Sequence, residues 1–219
     1  MKISEAVEQA VDLCFKLDNG ECGGTYLESA LLMSSLISAI AAECWPGKNI
    51  DRKRFIELWA RHSRNGANLI SLPRLAQHLR QQARDPEAEK LKDLRSSSFQ
   101  NSSQILTGPE VDIPEAAVAS AVPSLVVKEI RAHAYAAMFY THVRSALAHE
   151  YAMRVGAAPW TLSSDKDNVS YLNSVTGGKT SREIHFPMKW LAQLVKDLAS
   201  AVDQLSRPLL KPTTWWIDG

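Results

Sequence analysis

Ser124-Leu-Val-Val-Lys-Glu-Ile-Arg-Ala-His-Ala-Tyr-Ala-Ala-Met-Phe-Tyr-Thr-His-Val-Arg-Ser-Ala-Leu-Ala-His-Glu-Tyr-Ala-Met153 is the stretch whose reading decides the fold. Leu125, Ala132, Ala136, Phe139, Val143 and Ala146 recur at intervals of three, four and seven, the spacing of a helix buried along one side. Pro123 cannot continue a helix from upstream, and Ser124 can cap one that starts after it. The pattern predicts one long helix over residues 124–153.

Working outward, helical periodicity dominates. Ser4 is the expected cap of a first helix to about residue 17, with Ala6, Val7, Ala10, Val11, Cys14 and Phe15 on its apolar stripe. Residues 26–44 are apolar nearly all round, which places that helix at the centre of the fold. Its serines and Glu43 read as too polar for a bilayer span. Residues 52–62 and 71–83, the latter with Pro73 in its first turn, give two more helices. Residues 96–123 are rich in Ser, Asn, Gly and Pro and read as a flexible loop with no second core behind it. Two strand-like runs, 169–175 and 182–186, joined through Gly177-Gly178, predict a β-hairpin around 169–187. Pro187 then opens a last amphipathic helix bearing Trp190, Leu191, Leu194, Val195 and Leu198, and Trp215 and Trp216 in the tail are expected to dock on the protein itself. The expectation is one mainly all-α domain over residues 1–219, a helical bundle with a small hairpin inserted before the last helix.

Balanced charge, 25 basic against 24 acidic residues, argues against a uniformly cationic nucleic-acid coat but permits a local basic patch. Cys14, Cys22 and Cys44 show no CxxC spacing, so they read as free thiols and no metal site is expected. The amino-terminal residues lack a charged-then-apolar leader pattern, and the chain reads as cytoplasmic, with no membrane partner and no cofactor.

Chemistry concentrates at Tyr140-Thr-His-Val-Arg144-Ser-Ala-Leu-Ala-His149-Glu-Tyr151. An arginine keeps its charge and can grip two phosphate oxygens, while a histidine exchanges protons near neutral pH. Together they can hold a phosphate and move a proton. Arginine, four residues, then histidine resembles the RNase signature of the HEPN superfamily. His149-Glu150-Tyr151 further resembles the HEPN toxins paired with minimal nucleotidyltransferase antitoxins. Chance supplies about 0.4 such Arg–His pairs in a chain with 13 arginines and 6 histidines, so context carries the resemblance. It covers residues 132–151 and extends weakly to 198. One departure is Ser145, where active members often carry Asn, Asp or His.

The resemblance implies a homodimeric, metal-independent endoribonuclease that leaves a 2′,3′-cyclic phosphate, acting in toxin–antitoxin or antiphage defence. It implies Arg144 and His149 as the catalytic pair, with Ser145 and His142 as possible supporting residues and Tyr151 as a possible acceptor of adenylate groups from an antitoxin. A helical module that keeps the fold and binds RNA, a nucleotide or a protein without cutting is the alternative. At about 100° per residue, positions five apart lie about 140° apart, so one straight helix does not aim Arg144 and His149 at one phosphate. A locally distorted helix or a facing second copy would reconcile them. Arg144 and Tyr151, seven apart, are expected to share a flank.

Overall fold

In the computed structural model, residues 2–95, 106–154, 156–159, 167–176 and 179–219 are described. The fold is mainly helical with one small antiparallel sheet, as the periodicity indicates. Helices α1 (Ile3–Asp18), α2 (Tyr26–Cys44), α3 (Asp51–His62) and α4 (Leu72–Gln81) fall where the sequence pattern puts them. A short charged helix, α5 (Asp85–Asp93), follows and buries only Ala88 and Leu91. Its apolar signal is too sparse for periodicity to register.

Residues 96–105 of the expected flexible loop lie outside the described residues. The remainder is structured, which corrects the loop reading. Strand β1 (Leu106–Thr107), helix α6 (Gly108–Val111) and helix α7 (Glu115–Ala121) occupy it. Val111, Ile113, Val118 and Val122 are buried. Three of these four, Ile113, Val118 and Val122, join Leu75, Leu79, Leu91, Leu125 and Ile130 in a second hydrophobic cluster.

The long helix expected over 124–153 is broken. It divides into α8 (Val127–Arg131), α9 (Tyr135–Phe139), a π-helical segment (Tyr140–Arg144) and α10 (Ser145–Glu150). Ser124 is no cap: its hydroxyl bonds Glu87 at 3.3 Å. Between α8 and α9 the chain pairs with the entry to α4. Ser71 N–H donates to the His133 carbonyl at 2.9 Å, and Tyr135 N–H to the Leu69 carbonyl at 3.0 Å. Asn68 Oδ1 accepts the Ala136 N–H at 3.1 Å. Those partners replace the helical carbonyls that α9 lacks at its start. Ala132, placed on the expected core stripe, is exposed there, while Ala136, Phe139, Val143 and Ala146 are buried.

The hairpin is present, with β2 (Ser170–Thr176) paired to β3 (Lys179–His185) and β1 added along β2. Its Gly177-Gly178 turn lies outside the described residues. The last long helix, α11 (Met188–Asp203), packs with α1 and α3 around α2. Asp203, near its end, caps α1: the Ile3 and Ser4 N–H groups donate to its carboxylate at 2.9 and 3.0 Å. Ser4 is therefore a first-turn residue and not the cap. By length and composition α2 is apolar enough to cross a membrane, contrary to the reading of its serines and Glu43 as too polar. It buries Ala30, Met33, Ile37, Ile40 and Ala41 in the main core. In the tail, Trp215 is buried against Trp45 and Trp216 lies under the Arg131 guanidinium, so both dock on the protein.

Candidate functional site

The motif spans the π-helical segment and α10. A π turn inserts one residue into the helical ladder, seen here as the Ser145 N–H donating to the Tyr140 carbonyl five residues back. The distortion therefore precedes the Arg144–His149 interval. From Ser145 to Glu150 the helix is regular. The 140° between the two side chains persists, and in one chain they diverge.

Arg144 is half-buried and turned toward α3. Its Nη2 lies 2.8 Å from Asp51 Oδ2, and its guanidinium sits over the Tyr140 ring at 5.2 Å from the centroid. Tyr140 donates its hydroxyl to the same carboxylate at 2.9 Å. Burial, then that hydrogen bond, push the Tyr140 phenol up to about 12, so it remains a donor at any ordinary pH. Arg54 closes on the other oxygen of Asp51 at 3.4 Å. Asp51 is thus the residue that orients Arg144. Nothing local in the sequence marks it: it is one acidic residue in a helical first turn, 93 positions before its partner. Among the described residues, Nη1 and Nε of Arg144 have no hydrogen-bond partner and remain able to meet a phosphate.

His149 presents the opposite situation. It is exposed on the last turn of α10 and makes no hydrogen bond or ion pair with the described residues. It does not cap the helix carbonyls. Ser145 is half-buried beside Arg144. His142 stands on a different side, next to Gly156 and Arg74, where a side chain on Gly156 would come within 3.2 Å of the imidazole Cε1. The structure therefore does not bring His142 to Arg144.

Tyr151 leaves the helix in the left-handed conformation, with φ of 50°, and is 58% exposed. Its hydroxyl donates to Glu28, which also closes the Thr25 capping box at the start of α2. Those bonds hold the Glu28 carboxyl down at about 2. Arg144 instead reaches Asp51 beyond the far end of α2, where Arg54 also bonds the Trp45 carbonyl. From Glu28 to Cys44 that helix rises roughly 24 Å. The flank that Arg144 and Tyr151 were expected to share is lost, because the left-handed turn carries the ring away.

Below Tyr151 lies a cavity of about 340 Å³ lined by Leu27, Met153, Arg154, Pro159 and Glu183 among others. Among the described residues, no three His, Cys, Asp or Glu side chains converge to hold a metal ion. His185 is buried, with Nδ1 3.0 Å from the Ala158 carbonyl, and serves the fold.

Protein-family models, curated proteins and solved structures were compared with the chain, and none matches it.

Proposed function

We propose that this protein is a metal-independent endoribonuclease of HEPN type, in which Arg144 holds the scissile phosphate and His149 moves the proton. The observation that carries the reading is the contrast between the two residues. Among the described residues, the guanidinium is steered by Asp51 and Tyr140 yet keeps Nη1 and Nε unengaged, and the exposed imidazole has no hydrogen-bond or ion-pair partner. In the reaction the 2′-oxygen attacks phosphorus as its proton passes to an imidazole. The phosphorus–O5′ bond breaks and the 5′-oxygen takes up a proton, leaving a 2′,3′-cyclic phosphate and a 5′-hydroxyl. Arg144 stabilises the charge gathered on the phosphate oxygens.

Because Arg144 and His149 diverge on one helix, the working unit is a homodimer in which each copy's pair completes the other's cleft. Such an enzyme fits a cytoplasmic toxin or antiphage effector. Tyr151 is then the residue that a nucleotidyltransferase-type antitoxin modifies, and an adduct there blocks the cleft sterically beside His149 instead of capturing Arg144. A second reading has one observation in its favour. The Arg144–Asp51 ion pair is satisfied without any ligand, as expected of a silent helical module that binds RNA without cutting it.

Cleavage of a structured RNA pool, followed by electrophoresis and end-group analysis, tests the proposal. Arg144→Ala and His149→Ala should each lower cleavage by about 100-fold or more while stability stays within about 1 kcal/mol. EDTA should have no effect. A divalent-ion requirement, or an active His149→Ala variant, overturns it.

A further inference from the structure

We infer that the cavity under Tyr151 is a guanine-selective base subsite for the RNA, an inference that rests on the endoribonuclease reading. The position is suitable, since the wall formed by Tyr151 to Arg154 begins two residues after His149. About 340 Å³ is ample for one nucleobase and falls within the range of small-ligand sites. Leu27, Met153 and Pro159 supply apolar surface, and the Tyr151 ring, fixed through its hydroxyl to Glu28, supplies an aromatic face. Single-stranded RNA is read in this way, by splayed bases stacked on aromatic rings and bonded along their edges.

The polar groups decide which base. Glu183, on β3, is half-buried at the cavity; the Arg74 guanidinium faces its charge, but among the described residues no group donates a hydrogen bond to it. A carboxylate only accepts hydrogen bonds, so a ligand that meets Glu183 in this cavity must bring the donors. Guanine alone among the RNA bases presents two adjacent donors, N1–H and the N2 amino group. Adenine and cytosine offer an acceptor next to their amino group, and uracil flanks its N3–H with two carbonyls. Arg154 adds the complementary half. Its Nε and Nη2 donate to Glu150 at 3.1 and 2.5 Å, and its backbone N–H donates to the His142 carbonyl, which anchors the residue. Nη1 has no partner among the described residues and suits guanine O6, the acceptor that arginine most often reads.

Isothermal titration with 3′-GMP and 3′-AMP, run beside cleavage of hexanucleotides that carry a single G or a single A, tests the subsite. Wild-type protein should bind 3′-GMP at least about tenfold more tightly than 3′-AMP, and the isosteric Glu183→Gln should abolish that preference. Arg154→Gln should weaken it, with circular dichroism checking the fold of both variants. Equal affinity for the two nucleotides, or a preference that survives Glu183→Gln, overturns the inference. RNA cleavage without base preference sinks the subsite and spares the nuclease. Guanine-selective binding without cleavage does the reverse.

Discussion

Two aspartates, Asp51 and Asp112, organise two different regions, and the contrast shows how one residue type can serve a site or a fold. Asp51 sits at the partly exposed start of α3 among cations, touching Arg144 and Arg54 and accepting the Tyr140 hydroxyl. Asp112 is buried between the two hydrophobic clusters, and its hydrogen-bond donors are all neutral. Its carboxyl accepts hydroxyls from Tyr135 and from Tyr171, the latter at 2.5 Å, and the Leu72 N–H at 3.1 Å. Tyr171 is in turn 2.8 Å from the Ser71 hydroxyl. That network ties the start of α4, the end of α6, α9 and β2 to one point. Gly108 leaves the space that it needs, because a side chain there would collide with the Tyr135 hydroxyl. Burial pushes Asp112 up to about 7, despite its three hydrogen-bond donors and the positive charge of Arg95. A carboxylate among cations is free to orient an arginine, whereas one among tyrosines is a junction.

The largest test of this contrast is Asp112→Ala. It strands two buried phenols and a backbone N–H, and should cost about 2–4 kcal/mol in urea unfolding. The matching Asp51→Ala should cost less than about 1 kcal/mol, since its groups can reach water. Equal losses would erase the distinction between the two regions.

Acidity separates them next. Asp112 has a folded pKa of about 7, raised above the ordinary carboxyl value of 3.8. Its protonated form therefore stabilises the fold fully below about pH 3.8, and that contribution is lost as pH rises through about 7. Asp112→Asn cannot titrate. Unfolding measured at pH 5 and pH 8 should show wild-type protein losing its advantage over the variant at the higher pH. Parallel behaviour of the two proteins would remove the buried-acid assignment.

The smallest effect should come from Asp51→Asn, which keeps the shape and removes the charge that steers Arg144. On the nuclease reading, cleavage should fall by about tenfold, with the unfolding midpoint nearly unchanged. Faster cleavage would mean that Asp51 restrains Arg144 instead of orienting it.

How much of this was legible in the sequence differs along the same stretch. From Ala136 to Ala146 the three-four spacing located the buried face, because burial of one helical side leaves a periodic trace in the residues themselves. Upstream, the same rule ran one helix through Ala132, where the chain in fact bends to pair with residues 69–71. Backbone pairing uses groups that every residue carries, so no side chain announces it. Residues 106–123 misled for a related reason. Their Gly, Pro and Ser content marks turns, and the few valines between those turns pack only once α4 and α5 stand opposite.

By itself the sequence determined the helical class, the hairpin before the last helix and the five-residue offset from Arg144 to His149. Those follow from local periodicity, turn chemistry and counting. The tertiary structure alone decided that Asp51 meets Arg144, that Tyr151 turns away toward Glu28, and that Glu183 faces a cavity with Arg154. Each of those depends on partners brought together by packing across tens of residues, and contact at that range leaves no mark in a local pattern.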